Sequence, residues 1–458
     1  MLPSAPYGDQ PNRSPWIAQL APDGPPRPLL QDTRTDIAIV GAGIAGVATA
    51  FFTLRSTGQQ VMLIERDRVA RGATGRNAGQ LTTYFERPLH AIAREFGVEP
   101  ALEAQRVFDE SHDLLDLMVA ETGVTVRVER FTGHMGMFSL DHLQVHLKNN
   151  LLRRQGGLRQ ETCVVSEDAE FLREIPAEYA PLYTVVPQRR VRELLETADD
   201  RYRAVLSERK GCANSGALVQ QVLGYLERTY PDRFRYADRT HVERVVVREE
   251  SVEIHAQGHR VAAGRVVMCT NAYLDHLIED AAGQRVTVHP DQQVASRIAF
   301  MMASVDERLR RPSAMSYILN PTIGGTTPYV YVTRRTYDRP HGAVMLTCLG
   351  GPDYRIDPQN YDPEAPVPGD MLGVMDEQVR SFADPSRPAG LPYDFHWHGL
   401  MAYSPGMIRL IGNHPRHPRL FYNLGCNGIG FLPSLSGSER VARMLAGERF
   451  APSIFDPR

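Results

Sequence analysis

Lysine is almost missing from this chain. Lys148 and Lys210 are the only two among 51 basic residues, so nearly all positive charge is arginine. Arginine keeps its charge everywhere and grips carboxylates with a rigid fork, but it serves poorly as a proton-accepting amine. Cysteine is sparse and unpaired. Cys163, Cys212, Cys269, Cys348 and Cys426 are scattered, odd in number and form no C-x-x-C, which argues against a disulfide framework, a zinc site or a redox dithiol and fits a reducing cytoplasm. Long apolar runs are also absent: the stretch from Ile37 to Phe52 is broken by three glycines, so no transmembrane span is expected. There is no basic run either. A net charge of -3, from 51 basic and 54 acidic residues, implies neither nucleic acid nor an anionic membrane as partner. The proline-rich stretch from Met1 to Asp32 lacks the charged start and apolar block of a secretion signal. It reads as an extension that wraps the surface or is partly mobile.

What is present is a chain of 458 residues, 42% apolar, long enough for two or more domains. Its most informative segment runs from Thr35 to Ala50. Ile37, Ile39 and Val40 form a short buried strand, and Gly41, Gly43 and Gly46 follow in G-x-G-x-x-G order before a helix of small residues that includes Ala45. Gly41 permits the tight turn, Gly43 lets backbone amides approach a pyrophosphate, and Gly46 lets the helix lie on the strand. The next apolar strand, Gln60 to Ile64, ends in Glu65, placed to accept hydrogen bonds from both ribose hydroxyls. Together these parts specify a bound dinucleotide.

Past Glu65, the segment from Arg66 to Gln80 is too rich in glycine and small polar residues for a regular element and reads as a loop crossing a ligand. Helical patterning runs from Pro88 to Gly123, where glycine stops it, and short strands are expected at 124–128 and 136–139. A helix follows Gly211, then two antiparallel strands over 244–255 and a buried strand from Arg265. Alternating residues between Gln293 and Gly351 predict a separate antiparallel sheet. Near the end, Gly425, Gly428 and Gly430 form a second glycine-rich loop before a helix.

These blocks resemble the D-amino-acid oxidase and sarcosine oxidase superfamily of flavoproteins, nearest to its gamma-glutamylputrescine oxidase-like members. The likeness spans Asp36 to Gly447 and rests on the motif ending at Glu65, the loop Gly72 to Gln80, and Trp397-His-Gly399 through Gly430. It implies an α/β fold with an α+β substrate part: a Rossmann-like FAD-binding domain and an antiparallel-sheet substrate domain, as in glutathione-reductase-like two-domain flavoproteins. The expected domains are 33–95, 205–288 and 396–450 for FAD, and 96–204 with 289–395 for substrate, after an extension over 1–32.

The resemblance also assigns residues. Glu65 and Arg66 would hold the adenosine ribose, and Val242 the adenine, with weaker support from the strand reaching Asn271. Ala73, Thr74, Arg76, Asn77, Gly79 and Gln80 would pass along the diphosphate and isoalloxazine. Gly425, Gly428 and Gly430 would bring amides to the flavin pyrimidine edge, where negative charge gathers on reduction. Sarcosine-oxidase-like members carry tyrosines at positions matching Tyr331 and Tyr403, the leading catalytic residues. Among Arg297, Arg334, Arg335 and Arg355, Arg297 and Arg334 are the chosen candidates for a substrate carboxylate. His396, His398 and His414 would be available as bases, although hydride loss from a neutral amine requires no strong base; their spacing suggests no metal.

Two departures qualify the likeness. Met401 stands where those oxidases link flavin through cysteine, and no histidine lies near Arg76, so FAD should be non-covalent. The strand Ala343 to Leu349 lacks the oxygen-activating lysine, leaving dioxygen or an electron carrier as acceptor. The implied function is oxidation of a primary or secondary amine, or an amino acid, by hydride transfer to flavin N5. Dehydrogenation of a hydroxy acid and a non-enzymatic flavin-binding subunit are the alternatives.

Overall fold

The apolar segments flanking the glycine motif become parallel strands whose ends coincide. In the computed structural model, which describes residues 11–287, 294–307, 311–319, 329–380 and 393–457, Thr33–Val40 lies between Val61–Ile64 and His259–Met268. Val40 stands level with Ile64 on one side and Met268 on the other. Ile37, Ile39, Leu63, Val266 and Val267 are wholly buried, because helices cover one sheet face and a second apolar cluster the other. Strands covered on both faces read as continuous apolar runs.

The nine-stranded sheet has the order Leu277–Asp280, Val242–Val247, Val252–Ala256, His259–Met268, Thr33–Val40, Val61–Ile64 and Phe234–Ala237. Leu420–Leu424 joins it alongside His259–Met268, with Leu410–Asn413 beyond. Helices Ile44–Ser56 and Phe431–Leu445 pack against each other on the same face. Thr49 donates to Ser438, and Ser438 donates to the Ala45 carbonyl, both between buried residues.

A ten-stranded sheet makes the other half. Its order is Phe395–Tyr403, Ala295–Asp306, Gly342–Arg355, Tyr329–Arg339, Ser313–Ile318, Val128–Met137, Ala204–Ala213, Thr162–Ser166 and Thr184–Val186, with Gln80–Leu81 paired to Ala204–Ala213. The mixed two-sheet α/β architecture is the expected one. Three strands, however, cross the domain limits drawn from sequence: Gln80–Leu81, Ala204–Ala213 and Phe395–Tyr403 all pair in the ten-stranded sheet. Their partners, such as Val128 opposite Ala213, lie far away in the chain, and local patterning carries no record of such pairing. The two short strands expected at 124–128 and 136–139 reach only the two ends of one longer strand, Val128–Met137, and 124–127 lie outside it.

The N-terminal extension also differs from expectation. Trp16 is fully buried, not wrapped on the surface. Its indole N–H donates to the Asn77 carbonyl, the Arg335 guanidinium stacks 4.0 Å from its ring centroid, and a Cβ at Gly79 would meet it at 2.7 Å. The Ser14 hydroxyl donates to the Gly75 carbonyl. A segment with little periodicity of its own is thus bolted to the loop over 72–80. Replacing a large buried aromatic by alanine typically costs about 3–5 kcal/mol. Trp16→Ala should therefore lower the denaturant midpoint of the first unfolding transition, and an unchanged midpoint would show that this segment adds nothing to stability.

Candidate functional site

Where the three strands end together, the chain turns at Gly41. Its φ is 106°, and a Cβ there would stand 2.7 Å from the Cys269 carbonyl oxygen. Gly46 is equally constrained, since its Cβ would meet the Gly41 carbonyl at 1.8 Å. Gly46 therefore sits behind the site as a packing residue. Gly43, Ile44 and Ala45 face a cavity of about 520 Å³ at the start of helix Ile44–Ser56. Helix N-termini carry free amides and partial positive charge, which suit an anion. Glu65 closes this end: it accepts from the Ala42 and Asp67 amides at 2.7 and 2.9 Å. Burial pushes its carboxyl above the usual range, and the two amides pull it back.

The loop over 72–80 forms the next wall. Asn77 organises it, donating to the Ala73 and Thr74 carbonyls at 3.1 and 2.8 Å while accepting from the Gly79 amide at 2.6 Å. Thr74 accepts from the Ile44 amide at 2.9 Å, tying loop to helix. Gln80 donates to Thr333 at 2.6 Å, tying it to the ten-stranded sheet. Arg66, Ala73, Thr74, Arg76, Asn77, Gly79, Gln80, Val242 and Asn271 all line the one cavity. Arg66 is braced by Asp275 at 3.0 Å, and Asn271 accepts from the Cys426 amide at 3.3 Å. Gly428 and Gly430 complete the wall, and helix Phe431–Leu445 starts immediately after them. Gly425 lies outside it: a Cβ there would meet the Ser404 hydroxyl at 2.9 Å, so this glycine serves the turn.

The ten-stranded sheet supplies the far end. Tyr331 lines the cavity; its hydroxyl donates to the Met301 sulfur at 3.1 Å, and its ring fills the space over Gly350, where a Cβ would lie 1.9 Å away. Tyr403 stands one layer back. Its hydroxyl and the Glu86 carboxylate approach Gly428, at 3.1 and 2.9 Å from where a Cβ would sit. Arg297 is held by Asp353 at 2.7 and 2.9 Å and Arg334 by Glu196. Neither lines the cavity. Arg335 is occupied by Gln19 at 2.8 Å and by Trp16, and Arg355 is exposed. His396, His398 and His414 also lie off the cavity wall, and burial lowers each below its ordinary value.

Among the cavity residues that sequence reasoning missed are Tyr84, Glu86 and Tyr329. Glu86 accepts from the Tyr329 hydroxyl at 3.1 Å. Burial pushes its carboxyl up to about 7, Asp353 and Glu208 push the same way, and Tyr329 and Lys210 oppose them. Burial first, then Glu86, holds the Tyr84 and Tyr329 phenols protonated well past their usual range. A readable signal existed, because Tyr84-Phe-Glu86 continues directly from a loop already assigned to ligand.

The cavity suits an elongated dinucleotide. It offers a glycine cradle, a helix N-terminus, a strand-end carboxylate and, among its buried lining atoms, Thr270 Oγ1 and Arg76 Nε, which have no hydrogen-bond partner among the described residues. The family model for FAD dependent oxidoreductases, DAO, matches residues 36–444. The chain belongs to this family. Curated relatives match only in part: a gamma-glutamylputrescine oxidoreductase of Escherichia coli is 33% identical over 73 residues, 16% of this chain and 17% of that protein. A probable oxidoreductase OrdL of Haemophilus influenzae is 32% identical over 89 residues, covering 19% and 20%. The matched stretches thus span about a fifth of those relatives. Solved structures share the fold along nearly the whole chain. L-proline dehydrogenase from P. horikoshii has a TM-score of 0.67 at 16% identity, covering 93% of this chain and 97% of its own. Glycine oxidase from Geobacillus kaustophilus has a TM-score of 0.65 at 16% identity, covering 93% and 99%.

Glu65, expected from the sequence at the ribose hydroxyls, stands one residue past its strand on the wall of this cavity. Hydrogen bonds to a charged group contribute about 1.5–3 kcal/mol, so Glu65→Gln should raise the FAD dissociation constant roughly ten- to a hundred-fold in titrations of the apoprotein. An unchanged constant would remove Glu65 from the cofactor site.

Proposed function

We propose that this protein oxidises a C–N bond of a primary or secondary amine or an amino acid. The observation that carries the reading is a single cavity bounded at one end by the glycine motif and Glu65 and at the other by Tyr84, Glu86, Tyr329 and Tyr331. When bound, FAD would accept a hydride from the carbon bearing nitrogen, giving an imine that water hydrolyses. The chain's own residues do the rest. Glu65, Arg66, Thr74 and Val242 hold the adenosine and diphosphate end. Gly428, Gly430 and the start of helix Phe431–Leu445 present a positive end to charge that develops on reduction. The tyrosines orient substrate and exclude water, which converts a chance encounter into a fixed approach.

Retention of FAD is proposed to be non-covalent. Met401 lines the cavity where a cysteine would be required, and Arg76 has no histidine beside it in sequence. Five free cysteines and the absence of any helix among the described residues long and apolar enough to cross a membrane fit a cytoplasmic enzyme. Strand Gly342–Arg355 has no lysine, Lys148 is exposed, and the buried Lys210 is engaged by Glu208 at 3.0 Å. A partner electron carrier therefore fits better than dioxygen as final acceptor.

Under anaerobic conditions a panel of amines and amino acids should bleach the flavin, with an aldehyde or keto product, while hydroxy acids should not. Bleaching by hydroxy acids alone would overturn the reading. Acid precipitation should release all flavin into the supernatant; flavin left in the pellet would mean a covalent link. Reduced enzyme should re-oxidise more slowly in air than with an artificial dye, and the reverse order would restore dioxygen as acceptor.

A further inference from the structure

Glu86 is the unmatched charge of the tyrosine wall. The ionisable groups around it are Lys210 and Glu208 on Ala204–Ala213, Asp353 on Gly342–Arg355, and the phenols of Tyr84, Tyr329, Tyr331 and Tyr403. Lys210 is paired with Glu208 at 3.0 Å, and Asp353 with Arg297 at 2.7 Å, so these four charges cancel. The neighbouring Arg87 is taken up by Glu95. Among the described residues Glu86 has no ion-pair partner, only the Tyr329 hydroxyl at 3.1 Å. A carboxylate in such a place costs free energy until a cation joins it.

Resting on the C–N oxidation reading, we propose that Glu86 is the amine-recognition group: it pairs with the substrate's ammonium among Tyr84, Tyr329 and Tyr331 and then takes its proton. The substrate is accordingly an amine whose reacting carbon bears no carboxylate. Phenol faces attract a desolvated cation, whereas a carboxylate requires a free guanidinium fork. Arg297 and Arg334 are both occupied by acids, and Arg409 on the cavity wall spends its donors on Asn423, Ser434 and the Gly425 carbonyl. Arg76 belongs to another neighbourhood, with Tyr273, Tyr361 and His398, and is engaged by the Pro363 carbonyl and Glu364 at 3.4 and 3.6 Å.

Proton transfer balances without a further reactant. One ammonium N–H bond breaks and one Glu86 O–H bond forms, so a cation and an anion become a neutral amine and a carboxylic acid. The nitrogen lone pair is thereby freed, as departure of hydride from the adjacent carbon requires. A carboxyl titrating at about 7 is matched to that exchange near neutrality. Glu86 also stands beside Gly428, where the tyrosine wall meets the glycine loop, so the bound nitrogen lies at the junction of the two.

The test is anaerobic calorimetry and flavin difference spectra of the holoenzyme with butylamine and butanoate. At about pH 8 butylamine should bind at least about ten-fold tighter than butanoate, the scale of one charged hydrogen bond. Because an alkylammonium keeps its proton to roughly pH 10, amine affinity should rise with pH through about 7 as Glu86 ionises. Glu86→Gln should cost about ten-fold or more in butylamine affinity and erase that step, with FAD content reporting that the variant is folded. Tyr329→Phe removes a bond that lowers the Glu86 value, so it should move the step to higher pH. Butanoate binding as tightly as butylamine, or a pH step that survives Glu86→Gln, overturns the proposal. Should Glu86→Gln fail to fold, the wild-type preference and the Tyr329→Phe shift decide. Glu86-dependent amine binding without bleaching by any amine would sink the C–N oxidation reading and support the recognition group. Bleaching by α-amino acids at a rate indifferent to Glu86→Gln would do the opposite.

Discussion

Three parallel strands stopping at one level is the constraint on which the rest of the structure depends. Val40, Ile64 and Met268 are in register, and the chain leaving Val40 has almost no room. The Gly41 amide donates to the Ile64 carbonyl at 2.8 Å, and the Cys269 amide donates to the Val40 carbonyl at 2.9 Å. These bonds press Gly41 beneath the Cys269 carbonyl and aim Ile44–Ser56 into the cavity. They also bring Glu65, one residue past its strand, back to the Ala42 amide. A register slip of one residue would turn every side chain of the strand to the opposite face and remove both cradle and carboxylate. Cofactor recognition is therefore a property of strand register before it is a property of individual contacts.

The second sheet meets this cradle at the loop over 72–80 and along strand Phe395–Tyr403, where the Asn427 amide donates to the Ala402 carbonyl at 2.8 Å and Asn271 donates to the Leu400 carbonyl at 3.4 Å. Gln80–Leu81 pairs with Ala204–Ala213, and Gln80 reaches Thr333, so the loop that faces the cofactor cavity is also an edge of the ten-stranded sheet. Trp16 locks the loop from behind. Loops with so much glycine and so few apolar residues open easily unless their backbone is tied down. Here the ties come from positions distant in sequence, which sets the position of the tyrosine wall relative to the cradle. Rigid support of this kind decides whether reacting atoms meet at the right distance.

Legibility in sequence followed the range of the interactions. The nucleotide motif was readable because turn, helix and strand-end carboxylate occur within about thirty residues and each obeys a steric rule. The loop over 72–80 was readable as a non-regular segment, and the antiparallel sheet from alternation. Trp16 was not, since its burial is made by Arg335 and Gly79, and nothing near it shows periodicity. Strand Ala204–Ala213 fell on the wrong side of an expected boundary because Val128–Met137 and Gln80–Leu81 pair with it from elsewhere. Arginines offered as carboxylate anchors carried the right chemistry, but Asp353 and Glu196 could be found as their partners only in three dimensions. Glu86 was overlooked for the converse reason: an acidic residue in a polar stretch resembles any solvated one until burial is known.

Burial of so many charges near one cavity needs its own account. Ion pairs taken out of water seldom add stability, because desolvation offsets most of their attraction. Lys210 shows the cost plainly: it is 1% exposed, and its contact with Glu208 is not aligned as a hydrogen bond. Glu161 nearby is also pushed up to about 7, by burial first and then Glu208, against the pull of Arg153. A wall of phenols and aliphatic groups would fold with less penalty. What the pairing does achieve is local, because Lys210 and Arg297 neutralise Glu208 and Asp353 and leave Glu86 as the acid among the described residues of the tyrosine wall that has no ion-pair partner. Under the proposal for Glu86, selectivity would work by exclusion as much as by attraction, since an anion entering that wall would meet a carboxylate. The cradle offers a helix N-terminus of the kind that suits an anionic phosphate, and the far wall offers a buried carboxylate. The two ends of the cavity differ in how their acids are held: Glu65 at the cradle is tied to two backbone amides, whereas Glu86 at the far wall has, among the described residues, only the Tyr329 hydroxyl.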